Sequence, residues 1–390
     1  MAAMKKLSFP FLGPRFEGQK VPEGFINDVH GWTFSRLEVE DAAKTGKLLT
    51  MDIDLAGNGS CSLSCGHCFR RTPEFRKEKR MDLAELRQHL QEAKSLGLRS
   101  VKLIGPGEPL EERGLLSFLR MLREMDITPL IFTKGHVLGN DLLSMRIHKM
   151  DVLALCAALK DLDVSILLGT TSFDQATEDG IVGRNGYHLK RQIALENLDL
   201  YGFNKFIPGQ ATRLAFVCTP ITPANIDEMF EIYKFARKIH AQPILAPTMV
   251  AGRALDNLCQ MVPSTEDLLE LYVKINLLNL ERGITSIEEI RSIGITAYAG
   301  AAPCNQVAVG MFLRGDGKVL RCPGDDISIQ GDLREKSLTE IWENSENRRV
   351  YSGQFNNGCP PKEGRSFPAR FFDMVMERLE EEVRKLGHTG

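Results

Sequence analysis

The sequence predicts an α/β fold, a partial (β/α)6 TIM-like barrel followed by a smaller C-terminal α+β domain. Between Leu48 and Gly252, short β-rich runs alternate six times with longer amphipathic stretches, the pattern of parallel strands joined by helices. No long interruption separates these units, so the strands can lie side by side in one curling sheet whose working face is at the C-terminal strand ends. After Arg253 the rhythm changes to one helix and then a segment rich in Gly, Cys and turns.

Residues 1–47 contain "FLGPRFEGQKVPEGF" and a short helical stretch, "SRLEVEDAAKTGK", and are expected to form an extension on the main domain. The six strands are read at Leu48–Leu55, Ser100–Gly105, Pro129–Thr133, Asp163–Gly169, Arg213–Thr219 and Gln242–Pro247. Between them, "MDLAELRQHLQEAKSLGL" repeats leucine at helical spacing, and "NIDEMFEIYKFARKIHA" is similarly amphipathic. Residues 48–252 are thus the expected barrel and residues 253–390 the linker helix, the smaller domain and a tail helix, "RFFDMVMERLEEEVRKL". Within that last part, "VAVGMFLRGDGKVLRC" reads as two strands around a turn at Asp316 and Gly317.

A hydrophobic share of 43% and a charged share of 26% describe an ordinary globular chain. A net charge of −2 argues against a broad grip on nucleic acid or an anionic membrane. No apolar run reaches the roughly 18 residues of a membrane span, and Met1 to Lys20 lacks a signal-peptide core, so a cytoplasmic protein is expected. Nine cysteines at uneven spacing do not suggest a disulfide framework and turn attention to metal or redox chemistry. Cys156 and Cys218 sit in apolar patterns and are expected in the core.

Three of the nine stand in "NGSCSLSCGHCFRR", directly after the first strand, as Cys61, Cys65 and Cys68. A structural zinc ion needs four ligands, and His67 is too close to Cys65 and Cys68 to be a comfortable fourth. A four-iron cluster on three thiolates keeps one iron open for an external ligand. The motif CxxxCxxC resembles the signature of the radical S-adenosylmethionine enzymes. That resemblance implies a [4Fe-4S] cluster whose open iron is chelated by the methionine moiety of S-adenosylmethionine, with His67 near the adenine. A structural zinc site is the alternative.

Further segments resemble the same family. "GPGEPL" after the second strand keeps Gly107, Glu108 and Pro109 of the family's GGEP, with Pro106 for its first glycine, which implies that Gly107 and Glu108 bind the methionine amino group. "TKG" ends the third strand where the family often has TNG. "GTTSFDQATEDGIVGRNG" after the fourth resembles the stretch that holds ribose and carboxylate, implying Thr170 and Ser172 for the ribose and Arg184 for the carboxylate; Thr171 stands where an aspartate is usual. Asn225 in "TPITPAN" reads as a helix N-cap.

The later cysteines Cys304, Cys322 and Cys359 lie in a segment that resembles the SPASM and twitch domains. Twelve residues separate Cys304 from Gly317 and four separate Gly317 from Cys322, which fits the opening of their pattern. A full SPASM domain continues with further cysteines, whereas only Cys359 follows here, so one auxiliary iron-sulfur cluster is implied. Its fourth ligand is Cys259, Asp325 or the substrate; zinc on the same trio is the alternative.

The resemblance implies an enzyme that uses an external low-potential reductant, flavodoxin or ferredoxin, to cleave S-adenosylmethionine to a 5′-deoxyadenosyl radical. That radical takes a hydrogen atom from the substrate. Peptide-modifying relatives often begin with a winged-helix recognition domain, for which residues 1–47 are too few and too rich in Gly and Pro. A small-molecule or natural-product substrate is therefore expected first, a ribosomal peptide or protein side chain second, and a non-catalytic iron-sulfur or zinc protein last.

Overall fold

The structure is a computed structural model that describes residues 20–56, 61–69, 80–105, 107–325 and 328–387. Pro106 lies outside them, as does the side chain of Cys259. Six strands follow in chain order: β1 (Thr50–Ile53), β2 (Ser100–Leu103), β3 (Thr128–Thr133), β4 (Ser165–Gly169), β5 (Leu214–Cys218) and β6 (Gln242–Leu245). Each pairs with the next in parallel, with Thr50 opposite Ser100 and Ile166 opposite Leu214. All six expected strands are present, and the connecting segments carry the helices that a parallel sheet requires.

The helices begin where local chemistry can satisfy their free amides. In α1 (Arg36–Thr45), Ser35 and Glu38 form a reciprocal capping box, and Asp82 and Glu85 do the same for α2 (Leu83–Ser95). α3 (Leu115–Glu124) buries Leu115, Leu119 and Leu122 on the sheet. α4 (Asp141–His148) and α5 (Val152–Asp161) follow β3, α6 (Gln175–Val182) and α7 (Tyr187–Leu200) follow β4, and α8 (Ile226–Lys238) follows β5. No helix among the described residues is long and apolar enough to cross a membrane.

The pleat divides the strand residues into two cores. Met51, Ile53, Val101, Leu103, Ile166, Leu168, Phe216 and Cys218 pack outward beneath the helices with Cys156. Leu130, Leu167, Ala215, Val217 and Ile244 face the opposite way and pack with Val29 and Trp32. Trp32 therefore brings the N-terminal extension into the barrel interior, where its ring lies 5.7 Å from both Phe132 and Tyr298.

The C-terminal segment joins the same sheet. β7 (Gly310–Leu313) pairs with β1 in parallel, Thr50 opposite Gly310, and then turns through Asp316 and Gly317 into antiparallel β8 (Lys318–Leu320). β9 (Ile329–Asp332) completes the order β6-β5-β4-β3-β2-β1-β7-β8-β9. The predicted hairpin is thus present, and its first strand extends the barrel sheet.

The interior face of β1 and β2 is polar, whereas that of β3 to β6 is mainly apolar. Lys102 is buried, donates to Thr50 Oγ1 and Gln306 Oε1 at 3.0 Å each, and lies 3.7 Å from Asp52 and 5.2 Å from the Trp32 ring centre. Burial pushes the Asp52 carboxyl up to about 6 from 3.8, against the lowering effect of Lys102. A raised folded-state value means that the native protein holds this proton more tightly than the unfolded chain. Stability from this group is full below pH 4 and is lost as pH rises through 6, about 3 kcal/mol at most. Urea midpoints of wild type and Asp52→Asn, compared across that window, are expected to diverge by this slope; parallel profiles would show that Asp52 is not the titrating group.

Candidate functional site

β1 leads directly toward the first cysteine loop. Cys65 is buried, Cys61 and Cys68 are half-buried, and all three pack with Leu63, Val182 and Tyr187. The loop is fastened by Ser64 N–H donating to Val182 O (3.0 Å), Arg253 N–H donating to Cys68 O (3.2 Å) and Arg184 Nη1 donating to Ser62 O (2.8 Å). Two glycines permit this close approach. At Gly183 (φ +65°) a Cβ would stand 2.6 Å from Ser64 O, and at Gly252 (φ +54°) it would stand 2.5 Å from Phe69 O.

The three thiols open on a cavity of about 170 Å³ that is also lined by His67, Gly105, Gly107, Glu108, Thr133, Lys134 and Thr219. Phe132, Leu167 and Val217 form its apolar part. Burial, followed by the nearby Glu108 carboxylate, pushes the Cys61 thiol up to about 12. Burial and Lys134 hold His67 well below the usual histidine range, so its ring is neutral. Glu108 is spoken for within the protein: Oε1 accepts from Thr133 Oγ1 (2.6 Å) and Leu110 N–H (3.1 Å), and Oε2 accepts from Lys134 N–H (2.9 Å). It ties the loop after β2 to the end of β3.

Of the other sequence-derived candidates, Thr170 and Ser172 are fully buried and do not line this cavity. Ser172 Oγ donates to Glu228 Oε1 (2.6 Å), while Thr170 Oγ1 approaches Leu168 O (3.4 Å). Arg184 lines a neighbouring pocket instead. Asn225 corrects its expected role. It occupies the N-cap position of α8, but its side chain makes no capping bond, because its Oδ1 accepts from Thr222 N–H (2.7 Å) and Thr222 Oγ1 (3.1 Å); its Nδ2 donates to Thr171 O (2.9 Å) and Pro220 O (3.0 Å), joining the loops after β4 and β5.

Cys304, Cys322 and Cys359 converge at the second site, where all three act on the buried Lys362. Burial is the main cause that raises each thiol, with Cys359 pushed up to about 11 against the lowering effect of Lys362. The Lys362 ammonium lies 5.9 Å from the Tyr298 ring centre. Asp325, a candidate fourth ligand, is engaged elsewhere: Oδ2 pairs with Arg321, and Oδ1 accepts from Ser328 N–H (3.1 Å).

Among the described residues, no group of three or more His, Cys, Asp and Glu side chains is placed to hold a metal ion. The donor chemistry nevertheless suits iron-sulfur groups, since three soft sulfur donors line one cavity at the first site, and at the second three more lie near one buried cation that offsets their charge. Sequence reasoning missed Lys134, Lys362 and the Asp52–Lys102 pair. The pair left a visible signal, charged residues inside two otherwise apolar strands.

Residues 304–362 match the SPASM iron-sulfur cluster-binding domain. The PqqA peptide cyclase of Xanthomonas axonopodis pv. citri (strain 306) is 25% identical over 320 residues, covering 78% of this chain and 78% of its own. Among solved structures, Streptococcus suis SuiB bound to precursor peptide SuiA superposes with a TM-score of 0.54 at 17% identity, covering 81% of this chain and 70% of that one. A structure of anSMEcpe with bound AdoMet gives a TM-score of 0.57 at 14% identity, covering 86% and 97%.

Proposed function

From the premise that the chain is a SPASM-type radical S-adenosylmethionine enzyme, with a [4Fe-4S] cluster, S-adenosylmethionine and an auxiliary cluster as cofactors, we propose that it modifies a ribosomal peptide or a protein side chain. The reading rests on one feature of the molecule, two cysteine trios bordering a single barrel interior. The substrate class is supported by the names of the similar proteins, a peptide cyclase and an enzyme solved with its precursor peptide. These weigh more than the short Gly- and Pro-rich extension that favoured a small molecule.

When bound, the cluster and S-adenosylmethionine supply a 5′-deoxyadenosyl radical able to take hydrogen from an unreactive C–H bond. Cys61, Cys65 and Cys68 hold the cluster, and Cys304, Cys322 and Cys359 hold the auxiliary one. Gly107 lets the backbone approach the ligand closely, while Gly105 leaves room for the Asp54 carboxylate that a Cβ there would strike. Glu108 fixes the β2 and β3 loops, neutral His67 flanks the cavity, and Lys134 brings a cation to it. Phe132, Leu167 and Val217 exclude water from the reacting region. Deeper in the barrel, burial pushes the Asp52 carboxyl up to about 6 although Lys102 lies 3.7 Å from its Oδ1, so it can hold or release a proton there.

The test is anaerobic reconstitution and reduction, followed by assay with S-adenosylmethionine and peptides encoded beside the gene. Formation of 5′-deoxyadenosine together with a mass change in one peptide is expected. Turnover with small molecules and none with peptides would overturn the substrate class, and no 5′-deoxyadenosine with any candidate would overturn the enzyme reading.

A further inference from the structure

Beside the cysteine cavity lies a second pocket, of about 280 Å³, and the two share no lining residue. The cysteine loop is the wall between them: Cys61, Cys65, His67 and Cys68 face the cavity, while Ser62 and Leu63 face the pocket. Arg146 on α4, Arg184, and Lys190 on α7 also line it, and no acidic side chain does. Neither Arg146 nor Lys190 has a carboxylate partner among the described residues, in a chain whose net charge is −2.

A second observation lies at the pocket's inner end. His136 is 3% exposed and lines the pocket, and its Nδ1 has no hydrogen-bond partner. Its Nε2 is 2.6 Å from Glu111 Oε1, which accepts from Ser62 Oγ at the same distance. A polar chain thus runs from the pocket to the residue next to Cys61. Leu142, which lines the pocket, is 86% exposed, and Met145, one turn further along α4, is 48% exposed. Exposed apolar side chains beside cations that lack carboxylate partners suit a protein-docking surface.

We infer that this pocket and its rim dock an acidic one-electron donor protein, which delivers its electron to the cluster through the Ser62–Leu63 wall. The inference rests on the proposal that Cys61, Cys65 and Cys68 hold a cluster. One electron leaves the donor and enters the cluster, with no bond formed or broken and no proton required. Delivery through the outer side of the loop leaves the cavity on its inner side to S-adenosylmethionine and substrate. Cationic guidance suits such an encounter, since redox complexes are small and their rates depend on complementary charge.

The test compares two reductants on the reconstituted protein, reduced flavodoxin and dithionite, following cluster bleaching by stopped-flow absorbance. In Arg146→Glu/Lys190→Glu, the bimolecular rate with flavodoxin is expected to fall about tenfold or more at low salt and to lose its salt dependence. Dithionite reduction is expected to be unchanged. Leu142→Asp, a change at an open surface position, is expected to act in the same direction. Unaltered flavodoxin rates in both variants would overturn the docking surface. So would saturable binding of inorganic phosphate that the double substitution removes without slowing flavodoxin, since the pocket would then serve a small anion. Failure of dithionite to give any bleaching in the variant with only Cys304, Cys322 and Cys359 replaced would instead overturn the underlying cluster assignment.

Discussion

Replacing Cys61, Cys65 and Cys68 together by alanine is expected to abolish 5′-deoxyadenosine formation while leaving about four irons per chain. The two effects are separable because the trios are built from different parts of the chain. The first trio packs with Leu63, Val182 and Tyr187 on the loop after β1, whereas the second gathers around Lys362 and Tyr298. Iron content and the electronic spectrum of the anaerobically reconstituted variant check the prediction. An iron-free variant would show that Cys304, Cys322 and Cys359 hold no cluster, and surviving 5′-deoxyadenosine would remove the first trio from the chemistry.

The second large effect concerns Lys362. The residue is 4% exposed and lies near three thiols, and burial lowers its proton affinity while Cys359, Cys322 and Cys304 raise it. With the cation removed, the negative charge of three thiolates and their cluster is no longer offset, and adding an electron becomes harder. Lys362→Met is therefore expected to lower the auxiliary midpoint potential by on the order of 100 mV, a Coulomb estimate for one charge a few ångströms away at an effective dielectric near 20. A potentiometric titration followed by electron paramagnetic resonance measures it. An unchanged potential with full iron content would mean that the ammonium points away from the bound group.

The periodicity of the chain revealed the barrel because each strand carries its own signal. "SVKLIG" and "RLAFVCT" are short β-rich runs, and both are strands within two residues of the expected ends. The pairing of β7 with β1 was hidden, because Thr50 and Gly310 meet across the whole barrel sequence and no local pattern records the partner. β9 was missed for a different reason: Ile329–Asp332 is short, and Ile329 is its most exposed residue. Cysteine spacing brought both trios into view, since thiol chemistry constrains spacing strongly. Hydroxyl-rich loops constrain little, and so the side chain of Ser172 proves to serve the loop itself, while Asn225 bridges two loops.

The direct pairing of β7 with β1 also fixes a length. Cys61 follows the C-terminal end of β1, whereas Cys304 precedes β7 and Cys322 follows the antiparallel β8, at the other end of the same strands. Four residues of β1 at about 3.3 Å each make the strand itself a ruler of ~13 Å. A single inserted residue in β1 would lengthen the ruler and turn the interior side chains outward in one step.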